Sequence, residues 1–197
     1  AGLNSNLDRF AYRLGATEAG LAGSPLRIEP LWDGASPPAA DVRVVARRAV
    51  DQAPVDVGDA RARDRLRAYV WPDQDDRIAR LEAALVIAAD HPPQLVRGDA
   101  ADFVERAVGA AQADGTMRVV WHTIFWTYLT PGAQARIEAA LAAAGSRATA
   151  RRPLAWLRYE LNGMGGVAEL KLDLWPGGEA RALAIGHPHV NDLKWLG

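Results

Sequence analysis

Three β-type runs stand back to back toward the end of this chain: "PLAWLRYEL" (153–161), "VAELKLDLW" (167–175) and "ARALAIG" (180–186). The Gly-rich turns "NGMGG" and "PGG" separate them and leave no room for a helix. Strands joined this tightly form an antiparallel meander. Upstream, strand and helix signals alternate instead. Alternation followed by a meander implies an α/β sheet, parallel in its middle and antiparallel at one edge.

The alternating part reads as follows. Asn4 or Ser5 caps a short helix through Leu14, with Leu7, Phe10, Ala11 and Leu14 at helical spacing. "LRIEPLW" (26–32) is a strand demoted toward an edge by Pro30, and "VRVVA" (42–46) is a β run. Helices are expected over 59–70, 75–90, 99–112 and 131–145. The second carries the stripe Ile78, Leu81, Leu85 and Ala88, and the last has Pro near its first turn and Gly at its end. "QLVR" (94–97) and "MRVVWH" (117–122) are strands.

Composition excludes several functions. Cysteine is absent, so disulfides, thiol catalysis and Cys-ligated metal sites are ruled out. A net charge of -1 provides no field for nucleic acid or an anionic membrane. Duplex binding needs a basic stripe, and only the interleaved Arg run at 61–67 and "RATARR" (147–152) are locally positive. No apolar run is long enough to span a membrane and no signal peptide is visible, so a cytoplasmic location is expected.

A few residues carry candidate chemistry, each with a plainer alternative. Asp51 follows a β run and suits either the ribose hydroxyls of a nucleotide or a set of turn amides. Asp99, in "VRGDAADF", suits an adenine amine or the cap of the next helix. His122 ends a buried strand in "VVWHTIFWTYLTP". It is a candidate general base, with Trp126 and Tyr128 facing a flat substrate, or else it belongs to a core aromatic cluster. Glu160 is a site carboxylate or an Arg partner. His187 and His189 share a face, but Pro188 and the lack of a third ligand argue against a metal.

The segments "AGLN…DRFAYRLG", "SPLRIEPLW", "ARRAVDQAPVDV", "YVWPDQDDRIARLEAAL", "VRGDA", "VVWHTIFWTYLTP", "PLAWLRYE" and "LDLWPGG" occur in that order. Together they resemble, nearly end to end, a bacterial family known as domain of unknown function 2332. Its opening turn, normally "GASAGLN" after an apolar strand, is similar to the glycine-rich first loop of class I S-adenosylmethionine-dependent methyltransferases.

That resemblance implies a Rossmann-like, mostly parallel sheet with flanking helices and a C-terminal meander, in one domain over 1–197. It also implies that the chain begins inside the cofactor loop, as the C-terminal part of a longer protein, without its first strand. That strand is expected between 42–46 and 117–122. On the same basis Gly2, Asn4, Asp51 and Asp99 hold S-adenosylmethionine, and His122, Trp126 and Tyr128 face the acceptor; Glu160 stays a further candidate for the chemistry. A short Gly turn stands where methyltransferases place a helix between strands five and six. The function implied is methyl transfer to a small-molecule or protein acceptor. The alternative is a non-catalytic ligand-binding or interaction module on the same fold.

Overall fold

The computed structural model describes residues 2–163 and 166–197. Ala1 of the opening turn, and Met164 and Gly165 of the "NGMGG" turn, lie outside the described residues. In chain order the strands and helices are β1 (Ala11–Leu14), β2 (Thr17–Gly20), β3 (Arg27–Ile28), β4 (Leu31–Asp33), β5 (Ala49–Asp51), α1 (Ala60–Ala68), α2 (Asp75–Asp90), β6 (Leu95–Arg97), α3 (Ala100–Gly109), β7 (Arg118–Thr123), α4 (Pro131–Gly145), β8 (Leu154–Leu161), β9 (Ala168–Trp175), β10 (Ala180–Gly186) and β11 (Asp192–Trp195). They fall into two compact units: Ala1–Glu29 with Pro38–Asp99, and Pro30–Pro37 with Ala100–Gly197.

The first unit opens with a 3-10 helix at Gly2–Arg9, bent at Asn6. The helix expected through Leu14 is therefore cut short. Gly15 takes a φ of 62°, which turns "AYRLGATEAG" into the hairpin β1–β2, and β3 adds in parallel to β1. Phe10, Leu26, Ala84 and Ile87 form the core. Both polar atoms of the buried Asn6 are bonded: its Nδ2 donates to the His91 carbonyl (2.9 Å) and its Oδ1 accepts from Arg47 (3.1 Å). Arg47 also bonds Asp8, pinning the segment before β5 to the 3-10 helix.

The strand expected at 42–46 does not form. Val42 and Val45 stay exposed and join no ladder, and the pairing moves to β5 at Ala49–Asp51. β5 and β6 run parallel, in register from Ala49↔Leu95 to Asp51↔Arg97. The acidic first turn of α2 (Asp75, Asp76) suits the helix dipole. Its Glu82 holds Arg67 of α1 at 2.6 Å.

The second unit is built on a six-stranded sheet in the order β4-β11-β10-β9-β8-β7. The meander appears as expected: β8, β9, β10 and β11 pair antiparallel in sequence order. β7 joins β8 in parallel, and β4 joins β11 in parallel. Pro30 breaks the run 26–32, which is why β3 and β4 belong to different sheets. Helices α3 and α4 pack on Leu154 and Trp156 through Ala101, Val108, Ile137 and Leu141.

The expected single, mostly parallel sheet is corrected here. The fold is mixed α/β, but the described strands make three sheets, and the largest is mainly antiparallel. A Rossmann-like parallel sheet is not confirmed. Among the described residues no helix is long and apolar enough to cross a membrane.

Candidate functional site

Alternation along β7 sets the first half of the site. Val119, Trp121 and Thr123 point one way and are exposed; Val120 and His122 point the other way, inward. The parallel pairing with β8 brings His122 onto the face that carries Trp156 and Glu160. After Thr123 the chain takes a left-handed step at Ile124 (φ 45°), whose N–H donates to the Tyr159 carbonyl (2.8 Å).

That step aims two successive backbone N–H groups at one carboxylate. Phe125 donates to both oxygens of Glu160 (2.9 and 3.0 Å), and Trp126 donates to Oε2 (3.2 Å). Turns of this kind make small anion-binding concavities, and here the anion is the protein's own side chain. Glu160 also bonds His122 Nδ1 at 2.6 Å. The indole N–H of Trp156 donates to His122 Nε2 at 3.1 Å. These neighbours fix the tautomer, with the proton on Nδ1 and the lone pair of Nε2 turned to Trp156. Both ring nitrogens are thus engaged. Trp126 stacks on the imidazole, with centroids 5.3 Å apart and planes at 14°.

Beside this cluster lies a cavity of about 140 Å³, lined by Trp126, Arg158, Glu160, Glu169 and Lys171 among others. The last three named with Asp173 come from the alternation in "LRYEL" and "AELKLDL", which puts every second residue on one face. Arg158 bonds Asp173 and lies over the Trp156 ring, 3.8 Å from its centroid; Lys171 bonds Glu169 at 2.9 Å. The sequence reading missed Arg158, Glu169 and Lys171. Their signal was the regular charge at i and i+2 in two adjacent strands.

The structure brings His122, Glu160 and Trp126 together. Tyr128, expected beside them, is 79% exposed and does not line the cavity. On the opposite face of β8, Tyr159 donates its hydroxyl to the His187 carbonyl at 2.8 Å. Burial, and then the charge of Asp192, pushes that phenol up to about 12, so it stays protonated. His187 Nδ1 accepts the His189 N–H at 3.1 Å, and no group of potential metal ligands occurs among the described residues.

The residues expected to hold cofactor lie in the first unit. Asp51 closes β5; its carbonyl accepts the Gly98 N–H (3.1 Å) and its Oδ1 accepts the Ala53 N–H (2.8 Å). Asp99 follows Gly98 at the same end of the parallel pair. Gly2 is buried, and a Cβ there would lie 2.6 Å from Leu95 Cδ1, so glycine is what lets the backbone approach β6. Asn4 is exposed. Gly2 and Asn4 line a shallow hollow of about 190 Å³ with Val55, Val57, Leu66 and Leu95.

A mixed α/β protein with a carboxylate–histidine–tryptophan cluster beside a charged cavity is the class that these features define. Over residues 1–195 the chain matches the family described as "Uncharacterized protein conserved in bacteria (DUF2332)", and it belongs to that family. No curated protein and no solved structure matches the chain.

Proposed function

We propose that this protein binds S-adenosylmethionine and transfers its methyl group to a small-molecule or protein acceptor. The observation that carries the reading is the parallel pair β5–β6 with Asp51 and Asp99 at one end of it. Paired acids after adjacent parallel strands suit a nucleoside, one on the ribose hydroxyls and one on the adenine amine. Those two residues would hold the cofactor. Gly2 and Asn4 would border it, although the glycine's missing side chain already serves the packing on Leu95. A hollow of about 190 Å³ is below the ~300–1,000 Å³ of full ligand sites, so it takes part of such a ligand.

When bound, the cofactor supplies an electrophilic methyl group. Acceptors that are already nucleophilic then need positioning more than acid–base help. In the second unit the cluster of His122, Glu160 and Trp126 forms a rigid wall suited to seating a small ligand, with the hydroxyl-bearing ring of Tyr128 out in solvent. Titration calorimetry of the full chain with S-adenosylmethionine and with its demethylated product tests the reading. Micromolar binding is expected, weakened about tenfold or more in Asp51→Asn; no heat with either compound ends it.

One observation favours the second reading, a non-catalytic ligand-binding module. Both nitrogens of His122 are taken, by Glu160 and Trp156, which leaves the ring no lone pair for a substrate proton. Cofactor binding without turnover on any offered amine, carboxylate or peptide acceptor would decide for the module.

A further inference from the structure

The cavity beside Trp126 has an unusual charge arrangement. The register of β8 and β9 sets Glu160 directly opposite Glu169, and Arg158 directly opposite Lys171. Like charges directly across a strand pair are unfavourable. Both cations nevertheless have their counter-charges: Arg158 has Asp173 and the Trp156 ring, and Lys171 has Glu169. Glu160 does not. Its donors are the His122 ring and two backbone N–H groups, and among the described residues no Lys or Arg pairs with it. Its side chain is only 15% exposed, so little water screens it. The local balance is three carboxylates (Glu160, Glu169, Asp173) against two cations.

We infer that this cavity holds a small organic cation, an alkylammonium group seated between Trp126 and the opposed carboxylates Glu160 and Glu169. The ammonium supplies the charge that the Glu160–Glu169 rung lacks, and the indole face adds cation–π attraction. An anion would meet Arg158 already held by Asp173 and Lys171 by Glu169, with only the buried Nε of Arg158 left without a partner among the described residues. A cavity of about 140 Å³ has room for a small ligand. The inference belongs to the second unit alone and goes beyond the proposed function: it assigns this face a small organic cation as ligand, independently of what binds the first unit.

The test uses the full chain without S-adenosylmethionine. n-Butylammonium is titrated while the indole N–H resonances are followed by ¹H–¹⁵N spectroscopy, with 1-butanol and butyrate as neutral and anionic comparators. Butylammonium is expected to move the Trp126 and Trp156 signals saturably, with millimolar affinity, while the comparators leave them in place. Glu169→Gln is expected to weaken binding about tenfold. Lys171→Gln is expected to strengthen it threefold or more, because the lysine ammonium is the internal competitor for Glu169. Signals that do not move, comparators that bind as well, or a Lys171→Gln variant that binds no tighter each overturn the inference. The cofactor reading is measured separately by calorimetry. Loss of amine binding with cofactor binding intact removes this inference alone, and the converse removes only the cofactor reading.

Discussion

Glu160 holds the β7–α4 turn together. Replacing it with Gln puts an amide N–H₂ among three N–H donors, at a site where each unsatisfied buried donor costs about 1–3 kcal/mol. Glu160→Gln is expected to lower stability by about 2 kcal/mol in urea unfolding. Ile124 is its counterpart: a β-branched residue at φ 45° stores roughly 1–2 kcal/mol of strain. Ile124→Gly removes that strain, offset by the greater freedom of glycine in the unfolded chain, so a change within about 1 kcal/mol is expected. A loss of 3 kcal/mol there would mean that the side chain, not the backbone, holds the turn. The partners were partly legible in the sequence, since His122 and the aromatics stand in one segment. Glu160 was seen without its role, because its donors come from a backbone conformation that residue types do not announce.

Asp8 gives a pH dependence at the same scale. Burial raises its pKa, but the hydrogen bonds and charge of Arg47 outweigh this and hold it below the usual carboxylate range. A depressed acid contributes stability above its unfolded pKa of ~3.9, and that contribution is lost as pH falls through the folded value. Asp8→Asn is therefore expected to be destabilising at pH 7 and increasingly neutral below about pH 4. A penalty that stays constant down to pH 2 would show that Arg47 does not depend on the Asp8 charge.

Among the elements, those with a long, clean period were read correctly. α2 and α4 occupy the expected residues, Asp75–Asp90 and Pro131–Gly145, and the meander strands lie within one residue of expectation. Short elements with distant partners were not. "VRVVA" has the β-branched composition of a strand but finds no ladder, because pairing depends on what lies alongside. The hairpin β1–β2 was hidden by a chance helical spacing of Leu7, Phe10 and Leu14. β11 was overlooked because only four residues pair. At the end of α4, Gly145 sits against the Trp175 ring, where a Cβ would fall 2.6 Å from ring atoms. Gly145→Ala forces the helix off β9, with an expected cost of about 1–3 kcal/mol despite alanine's better helix propensity. A stabilised variant in thermal melts would contradict that contact.

At the scale of the molecule, each unit has its own buried core. Leu141→Ala is expected to cost about 3 kcal/mol and to lower amide protection in α4 and β8 first. Ile87→Ala should do the same for α2, at a comparable cost. An equal fall in protection throughout the chain after either change would mean one cooperative unit. What the sequence hid here is the separation into sheets. Strand–helix alternation is the same whether strands join one sheet or several, and only the register tells them apart.

The order β4-β11-β10-β9-β8-β7 also has a history in time. From β8 to β11 every strand lies beside its neighbour in sequence across a short connection, and loop closure of that kind is fast, while β7 reaches β8 through the crossover helix α4. β4 is the exception. Leu31–Asp33 must reach residues 192–194, near the far end of the chain. That ladder, with the Trp32–Trp195 stack beside it, closes the longest loop of the sheet and so carries its largest closure entropy. During synthesis Leu31–Asp33 emerges long before residues 192–194, with which it pairs.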